Sequence, residues 1–101
     1  MTYTINGKQY TESDINKRCD ELLYGGVRYG AIPVYCHHPL DTWQIIEKCW
    51  DELMQDVGFD GDDEPYYDHR FGTRWEYLID KFKCTKLIAA CICLIELNAN
   101  D

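Results

Sequence analysis

The feature that most constrains the fold is an apolar run near the C-terminus, where nine consecutive apolar residues extend from Leu87 to Ile95. A helix that is apolar on nearly every side must be enclosed by other elements. The run is much shorter than the roughly 20 residues of a membrane-spanning helix. We therefore predict a buried helix that begins near Thr85, ends at about Leu97 and forms the centre of the core.

The remaining sequence must supply the elements around this helix, within one domain that spans residues 1–101. A chain of 101 residues suits one domain and not two, and its 46% hydrophobic content argues against disorder. Met1 to Asn6 has neither the basic nor the apolar stretch of a secretory signal. We therefore expect a cytoplasmic protein whose six cysteines are free thiols.

The N-terminal quarter predicts a β-hairpin followed by a helix. Thr2 to Tyr10 alternates polar and apolar residues around Asn6-Gly7, which is a strong hairpin signal. Thr11 or Ser13 is expected to cap the helix, and Gly25-Gly26 is expected to end it.

The middle of the chain contains the best-marked helix of the sequence. Val27 to Tyr35 is rich in β-formers but holds a glycine and a proline, so it is expected to be an edge strand or a structured loop. A helix is predicted from Asp41, as its N-cap, to Gly58. Replacement of Trp50 with alanine is then expected to cost roughly 3–5 kcal/mol, as for a large core aromatic. The predicted core stripe consists of Ile46, Cys49, Trp50, Leu53, Met54 and Val57.

The segment between the two best-marked helices is harder to interpret. Residues 59–72 lack periodicity and contain Gly61, Pro65 and Gly72, so a loop is predicted. Residues 74–82 alternate like a strand at Trp75, Tyr77 and Ile79, although a helical spacing also fits. We favour a strand there. The fold class predicted from these elements is α+β, with a short antiparallel sheet packed against two or three helices and a buried C-terminal helix.

The negative charge is concentrated in one segment. The chain has 18 acidic and 10 basic residues, for a net charge of −8. Residues 41–64 contain nine acids and one lysine, whereas the flanking parts are each neutral. This distribution disfavours direct binding of nucleic acid or an anionic membrane. It fits either a solvated face or a DNA-like decoy surface for a basic protein, with Asp51, Asp60, Asp62, Asp63 and Glu64 as the partner-binding residues.

No spacing in the sequence predicts a catalytic or metal site. Cys36-His37-His38 places three ligand types in consecutive positions, which point in different directions in an extended chain. The acidic run that starts at Asp60 has Pro65 where a calcium loop needs glycine, and Phe71 where it needs glutamate. Nucleotide-binding glycine loops and nucleophile elbows are absent from the sequence. We therefore predict a non-enzymatic protein without a metal or cofactor.

A repeated pairing of arginine with an aromatic residue is more suggestive. The chain contains Arg28-Tyr29-Gly30, Arg70-Phe71-Gly72 and Arg74-Trp75. Arginine binds phosphate through a planar fork, and aromatic rings stack on bases, although aromatics are most often packing residues. The predicted ligand-binding residues are Arg28, Tyr29, His37, His38, Trp43, Arg70, Arg74 and Trp75.

Two further segments carry a family pattern. Residues 39–46 read Pro-Leu-Asp-Thr-Trp-Gln-Ile-Ile, and residues 85–91 read Thr-Lys-Leu-Ile-Ala-Ala-Cys. They resemble the P-x-D-A-W-P-I-I run and the closing T-P-L-I-A-A-M segment of the NinX-like family of small bacteriophage proteins. Thr42 stands where the family has alanine, and Gln44 and Lys86 stand where it has proline. The resemblance implies a phage origin and a location in the host bacterial cytoplasm.

Two function classes follow from these patterns. The first is a phage accessory protein that evades host defence as a sponge, sequestering a small anionic nucleotide-type signal. The alternative is an acidic inhibitor whose 41–64 surface binds a basic host protein. An unremarkable structural accessory without a ligand is the third possibility. The sequence leaves the oligomeric state open, a homo-oligomer included. A deep pocket lined by the arginine and aromatic residues favours the first class, and an acidic ridge favours the second.

Overall fold

The computed structural model describes residues 2–25, 32–59 and 70–98, and within them the chain forms two short antiparallel sheets and five helical segments. The predicted α+β class is confirmed. The elements in chain order are β1 (Thr2–Ile5), β2 (Lys8–Thr11), α1 (Glu12–Tyr24), α2 (Pro39–Lys48), α3 (Trp50–Leu53), β3 (Asp56–Phe59), β4 (Arg70–Thr73), α4 (Arg74–Phe82) and α5 (Lys86–Leu97).

The predicted N-terminal hairpin is confirmed in position and register. β1 pairs with β2 so that Ile5 faces Lys8 across a two-residue turn. Asn6 and Gly7 both adopt positive φ angles, 52° and 82°, as the favoured two-residue hairpin turn requires. The alternation of β1 buries Tyr3 and Ile5 on one face of the hairpin.

Helix α1 begins at the predicted cap residue Thr11. The Asp14 amide donates to the Thr11 hydroxyl at 3.1 Å, and the Thr11 amide donates to the Asp14 carboxylate at 3.0 Å. The latter bond lowers the pKa of Asp14, because it stabilises the charged carboxylate. Gly25 ends the helix in the left-handed conformation.

Helix α5 forms the centre of the core, as predicted. Thr85 caps it by accepting a hydrogen bond from the Ile88 amide, and every residue from Ile88 to Ile95 is buried. The helices α1, α2 and α4 all pack against it. Across residues 2–25, 32–59 and 70–98, no helix combines the length and the apolar character needed to cross a membrane.

The predicted helix from Asp41 to Gly58 is wrong at both ends, whereas Ile46, Cys49 and Leu53 of its predicted core stripe are buried as expected. Helix α2 begins three residues earlier, with His38 as its N-cap and Pro39 in the first helical position, which suits proline's fixed φ and missing N–H. The helix is interrupted at Cys49 and continues only to Leu53 as α3. Trp50 and Met54, which were assigned to the core, are 46% and 42% exposed. The buried row keeps three residues of the predicted stripe and adds two before it, so that it consists of Thr42, Ile45, Ile46, Cys49 and Leu53.

The predicted loop over residues 59–72 is wrong where the structure describes it. Strands β3 and β4 pair in an antiparallel register that places Val57 opposite Gly72 and Phe59 opposite Arg70. Residues 60–69 lie outside the described structure. Both strands are short and contain glycine, so their alternation was too weak to identify from sequence.

The strand favoured for residues 74–82 is also wrong, because this segment is helix α4. Its N-terminus has a reciprocal capping box. The Glu76 amide donates to the Thr73 hydroxyl at 3.2 Å, and the Thr73 amide donates to Glu76 Oε1 at 3.0 Å. The helix buries Leu78 and packs against α5.

The segment between α1 and α2 is a structured loop where it is described, which agrees with one of the two predictions for it. Residues 32–38 contain no regular element, and residues 26–31 lie outside the described structure. The loop is anchored by Tyr35, which is fully buried and donates from its hydroxyl to Asp20 Oδ1 at 2.7 Å. The buried Thr42 hydroxyl contacts the carbonyl oxygens of Tyr35 and His38, so it fixes the start of α2 against this loop.

Candidate functional site

One side of α2 and α3 carries large apolar side chains that remain exposed. Trp43 is 54% exposed, Trp50 is 46% exposed and Leu40 is 92% exposed. Tryptophan is highly buried on average, so two exposed indoles on adjacent helices mark a surface that suits binding. We call this surface the acidic-aromatic face and define it as Leu40, Trp43, Glu47, Trp50, Asp51 and Met54.

The sequence produces this face through helical spacing. Residues three and four apart lie on the same side of a helix. The buried residues of α2 and α3 form one such series. The exposed residues form a second series on the neighbouring side of the helices. The second series has intervals of three, four, three and four residues, and it comprises Leu40, Trp43, Glu47, Trp50 and Met54.

A depression of about 540 Å³ lies between the two exposed indoles. It is lined by Trp43, Glu47, Lys48, Trp50 and Asp51. Indole faces attract cations through their electron-rich π systems, and carboxylates pair with them directly. The depression therefore offers apolar contact area with cation-binding groups on its walls, which is the chemistry that receives a lysine or arginine side chain.

A second cavity, of about 430 Å³, lies between the N-terminal hairpin, α1 and the C-terminal end of α5. Lys8, Tyr10 and Arg18 line part of it. None of these three residues was among the predicted ligand-binding residues. Its chemistry is opposite in sign to that of the acidic-aromatic face.

The two predicted ligand-binding histidines both face carboxylates. His37 Nε2 lies 2.7 Å from Glu12 Oε1, and His38 Nδ1 lies 3.4 Å from Asp41 Oδ2. Both imidazoles are exposed and lie just before α2. A phosphate group would have to compete with these carboxylates for each ring.

The predicted pair at the start of α4 makes contacts within the protein. Trp75 Nε1 donates to the Lys86 carbonyl at 2.8 Å, which ties α4 to the first turn of α5. Arg74 Nη2 donates to Gln55 Oε1 at 3.4 Å, and its buried Nε has no hydrogen-bond partner among the described residues. Trp75 therefore acts as a packing residue, which is the usual role of aromatic side chains.

Several predicted residues lie where no contact is described. Arg28 and Tyr29 fall outside the described residues, as do Asp60, Asp62, Asp63 and Glu64. The Arg70 backbone pairs with Phe59 in the second sheet. Of the eight predicted ligand-binding residues, Trp43 lines one of the two cavities above, and it does so beside carboxylates. Asp51 from the predicted partner-binding set lines the same depression.

The cysteines are largely shielded from solvent, and at Cys49 contact with the Cys93 thiol lowers the pKa. All six are free thiols, and five of them are buried. Contact with the Cys91 thiol and burial both raise the pKa of Cys36, which disfavours the reactive thiolate. Burial also raises the pKa of Cys84 to about 11. Across the part of the chain that the structure describes, no three side chains of histidine, cysteine, aspartate or glutamate are grouped to hold a metal ion.

We expect six thiols to be alkylated in denaturant and little alkylation of the native protein at pH 7. Burial slows access of the reagent, and at Cys36 and Cys84 a raised pKa also leaves little thiolate to react. Cys84 is half-buried, so it should be the first to be modified. The measurement is mass spectrometry after timed alkylation in non-oxidising buffer. Fewer than six modified thiols in denaturant would contradict the free-thiol assignment.

Sequence reasoning missed two sets of residues. Trp50 was placed in the core, although the three-and-four spacing shared with Trp43 is visible in the sequence. The cavity that contains Lys8 and Arg18 had no local signal, because it forms only where a hairpin, a helix and the end of another helix meet.

The comparisons with known proteins give no relative from which a role could be transferred. No family model, no curated protein and no solved structure matches this chain.

Proposed function

We propose that this protein is a non-enzymatic binding module whose acidic-aromatic face covers a basic, amphipathic surface on a partner protein. The observation that carries the proposal is the pair of exposed indoles, Trp43 and Trp50, around a depression with Glu47 and Asp51 on its walls. Tryptophan is enriched among the residues that dominate binding energy at protein interfaces.

Charge supports a basic partner. Within residues 39–59, Asp41, Glu47, Asp51, Glu52 and Asp56 oppose Lys48 alone. Complementary charge accelerates encounter and suppresses wrong partners, whereas the apolar centre of an interface supplies most of its affinity. The face combines both properties along two successive helices. A partner helix with leucine and arginine in adjacent rows matches it in shape and charge.

The resemblance to small bacteriophage proteins supports a biological setting for this activity. In that setting the protein acts in the bacterial cytoplasm and blocks a basic host protein that takes part in defence or binds nucleic acid. Sequestration of a nucleotide-type signal through Arg28, Tyr29 and the six other predicted residues stays a prediction. The described residues lend it less support, because His37 and His38 face carboxylates and Trp75 packs against α5.

The proposal is tested with a synthetic helical peptide that presents leucine and arginine in adjacent rows. We expect the double variant Glu47→Gln/Asp51→Asn to bind this peptide about tenfold more weakly than the wild type, since each interfacial charge pair contributes up to about 1 kcal/mol. Calorimetry measures the affinity. Raised salt should weaken the wild-type complex, because exposed charges are screened over about 8 Å at physiological ionic strength.

The matched control removes two carboxylates elsewhere. Glu21→Gln/Asp80→Asn changes the net charge equally at exposed positions on α1 and α4. Its affinity should stay within about twofold of the wild type. Equal weakening by both double variants, or equal binding of a peptide with glutamate in place of arginine, would show that the face has no specific role.

A further inference from the structure

The cavity between the N-terminal hairpin, α1 and the end of α5 has a different character from the rest of the molecule. It encloses about 430 Å³, which falls in the range of about 300–1,000 Å³ that holds small organic ligands. Three elements distant in sequence contribute to it, and the residues around it come from the part of the chain that has no excess of acids. None of the residues that line this cavity belongs to the acidic-aromatic face.

Two cations from different elements line this cavity. Lys8 comes from β2, and its ammonium lies 5.7 Å from the centre of the Tyr10 ring. Arg18 comes from α1 and forms no ion pair with a carboxylate among the described residues. Glu21 is the single carboxylate in the lining, so the cations outnumber it. A guanidinium and an ammonium in the lining of one cavity are the two side-chain cations that bind phosphate.

The rest of the lining is uncharged apart from Glu21. Ile5 and Ile95 are almost completely buried, so the accessible uncharged surface comes mainly from Asn6, Tyr10 and Asn98. The Asn98 side-chain amide donates to the Leu94 carbonyl at 2.8 Å, so its orientation is fixed. The phosphate is therefore favoured beside Lys8 and Arg18, and an organic body against Tyr10 and Asn98.

We propose that this cavity binds a phosphomonoester with a compact sugar or aromatic body, such as a mononucleotide. The phosphate contacts Lys8 and Arg18, and the organic body lies against Tyr10 and Asn98. The site uses none of the residues predicted from the arginine–aromatic pattern. It does not depend on the acidic-aromatic face, so the two proposals stand or fail separately.

The test is calorimetric titration with adenosine monophosphate, adenosine and inorganic phosphate. We expect adenosine monophosphate to bind, and both fragments to bind at least about tenfold more weakly, because each lacks one half of the contacts. Lys8→Gln and Arg18→Gln should each weaken binding of the nucleotide by about tenfold to hundredfold, the range for losing one charge-assisted phosphate contact. Lys17→Gln is the matched control, because Lys17 is an exposed cation on the same helix outside the cavity.

Nuclear magnetic resonance of the wild type provides a second measurement that needs no variant. Titration with adenosine monophosphate should shift the amide signals of residues around the cavity and leave those of α2 and α3 in place. The proposal is overturned by an absence of binding at millimolar nucleotide. Adenosine or inorganic phosphate binding as tightly as the nucleotide, or Lys17→Gln weakening binding as much as Arg18→Gln, would also overturn it.

Discussion

Replacement of both Trp43 and Trp50 with alanine should weaken binding of the basic helical peptide by about hundredfold or more. Tryptophans at the centre of an interface often contribute 2 kcal/mol or more each, and tenfold in affinity corresponds to about 1.4 kcal/mol. The loss should exceed that from neutralising Glu47 and Asp51, because apolar anchors supply affinity whereas charges chiefly supply rate and specificity. Calorimetry with the same peptide measures the affinity of both double variants.

The control for the tryptophan variant is Leu97→Ala. Leu97 is a similarly exposed apolar side chain, at 49%, but it lies at the end of α5, outside the acidic-aromatic face. Its replacement should change peptide affinity by less than about twofold. Both variants should stay folded, as judged by circular dichroism and melting temperature. A double tryptophan variant that binds like the wild type would contradict the proposed face.

Leu53→Ala should lower the free energy of unfolding by about 2–5 kcal/mol, whereas Trp50→Ala should lower it by about 1 kcal/mol. The two residues lie three positions apart in α3, yet Leu53 is completely buried and Trp50 is half-exposed. Truncation of Leu53 removes core contacts and leaves a cavity. Truncation of Trp50 removes surface that already contacts water.

Urea denaturation of the two variants measures this difference directly, with a shared m-value as the check that unfolding stays two-state. The small cost for Trp50→Ala differs from the roughly 3–5 kcal/mol expected from the sequence, which placed Trp50 in the core together with Leu53. A larger loss for Trp50→Ala than for Leu53→Ala would mean that the packing face of α3 is not the one described here.

The elements that the sequence predicted well are those whose signals are local and strong. Asn6-Gly7 determines a turn by backbone conformation alone, and Thr11 and Thr85 supply caps through their own hydroxyls. The apolar run of α5 permits only burial. None of these features depends on which other element packs nearby.

The sequence predictions are wrong where two local patterns conflicted, or where tertiary packing determined which residues are buried. For residues 74–82 the strand-like alternation of Trp75, Tyr77 and Ile79 was favoured over the helical spacing, and the capping box of Thr73 and Glu76 was not used. The helix that contains Trp50 has more apolar positions than one core face can cover. Periodicity alone could not distinguish the row that packs against α5 from the row that stays exposed.

The candidate sites could be predicted only in part, for a related reason. The acidic charge of residues 41–64 is a property of composition and can be read from the sequence, with Asp51 among the predicted partner-binding residues, whereas Trp43 was predicted for the separate nucleotide-type site. That Trp43 and Trp50 share one exposed face could be predicted only by knowing which apolar row of the helix is buried. The cation pair of Lys8 and Arg18 required the arrangement of three elements in space, which no local pattern in the chain encodes.

The central position of α5 has a consequence for how the molecule fluctuates. Helices α1, α2, α3 and α4 all contact this one element, so detachment of any of them would uncover apolar surface on α5. Opening of the core is therefore coupled across the protein rather than divided into independent parts. The amide protons of α5 should exchange with solvent at a rate set by global unfolding, and those at the edge of the second sheet should exchange through smaller local openings.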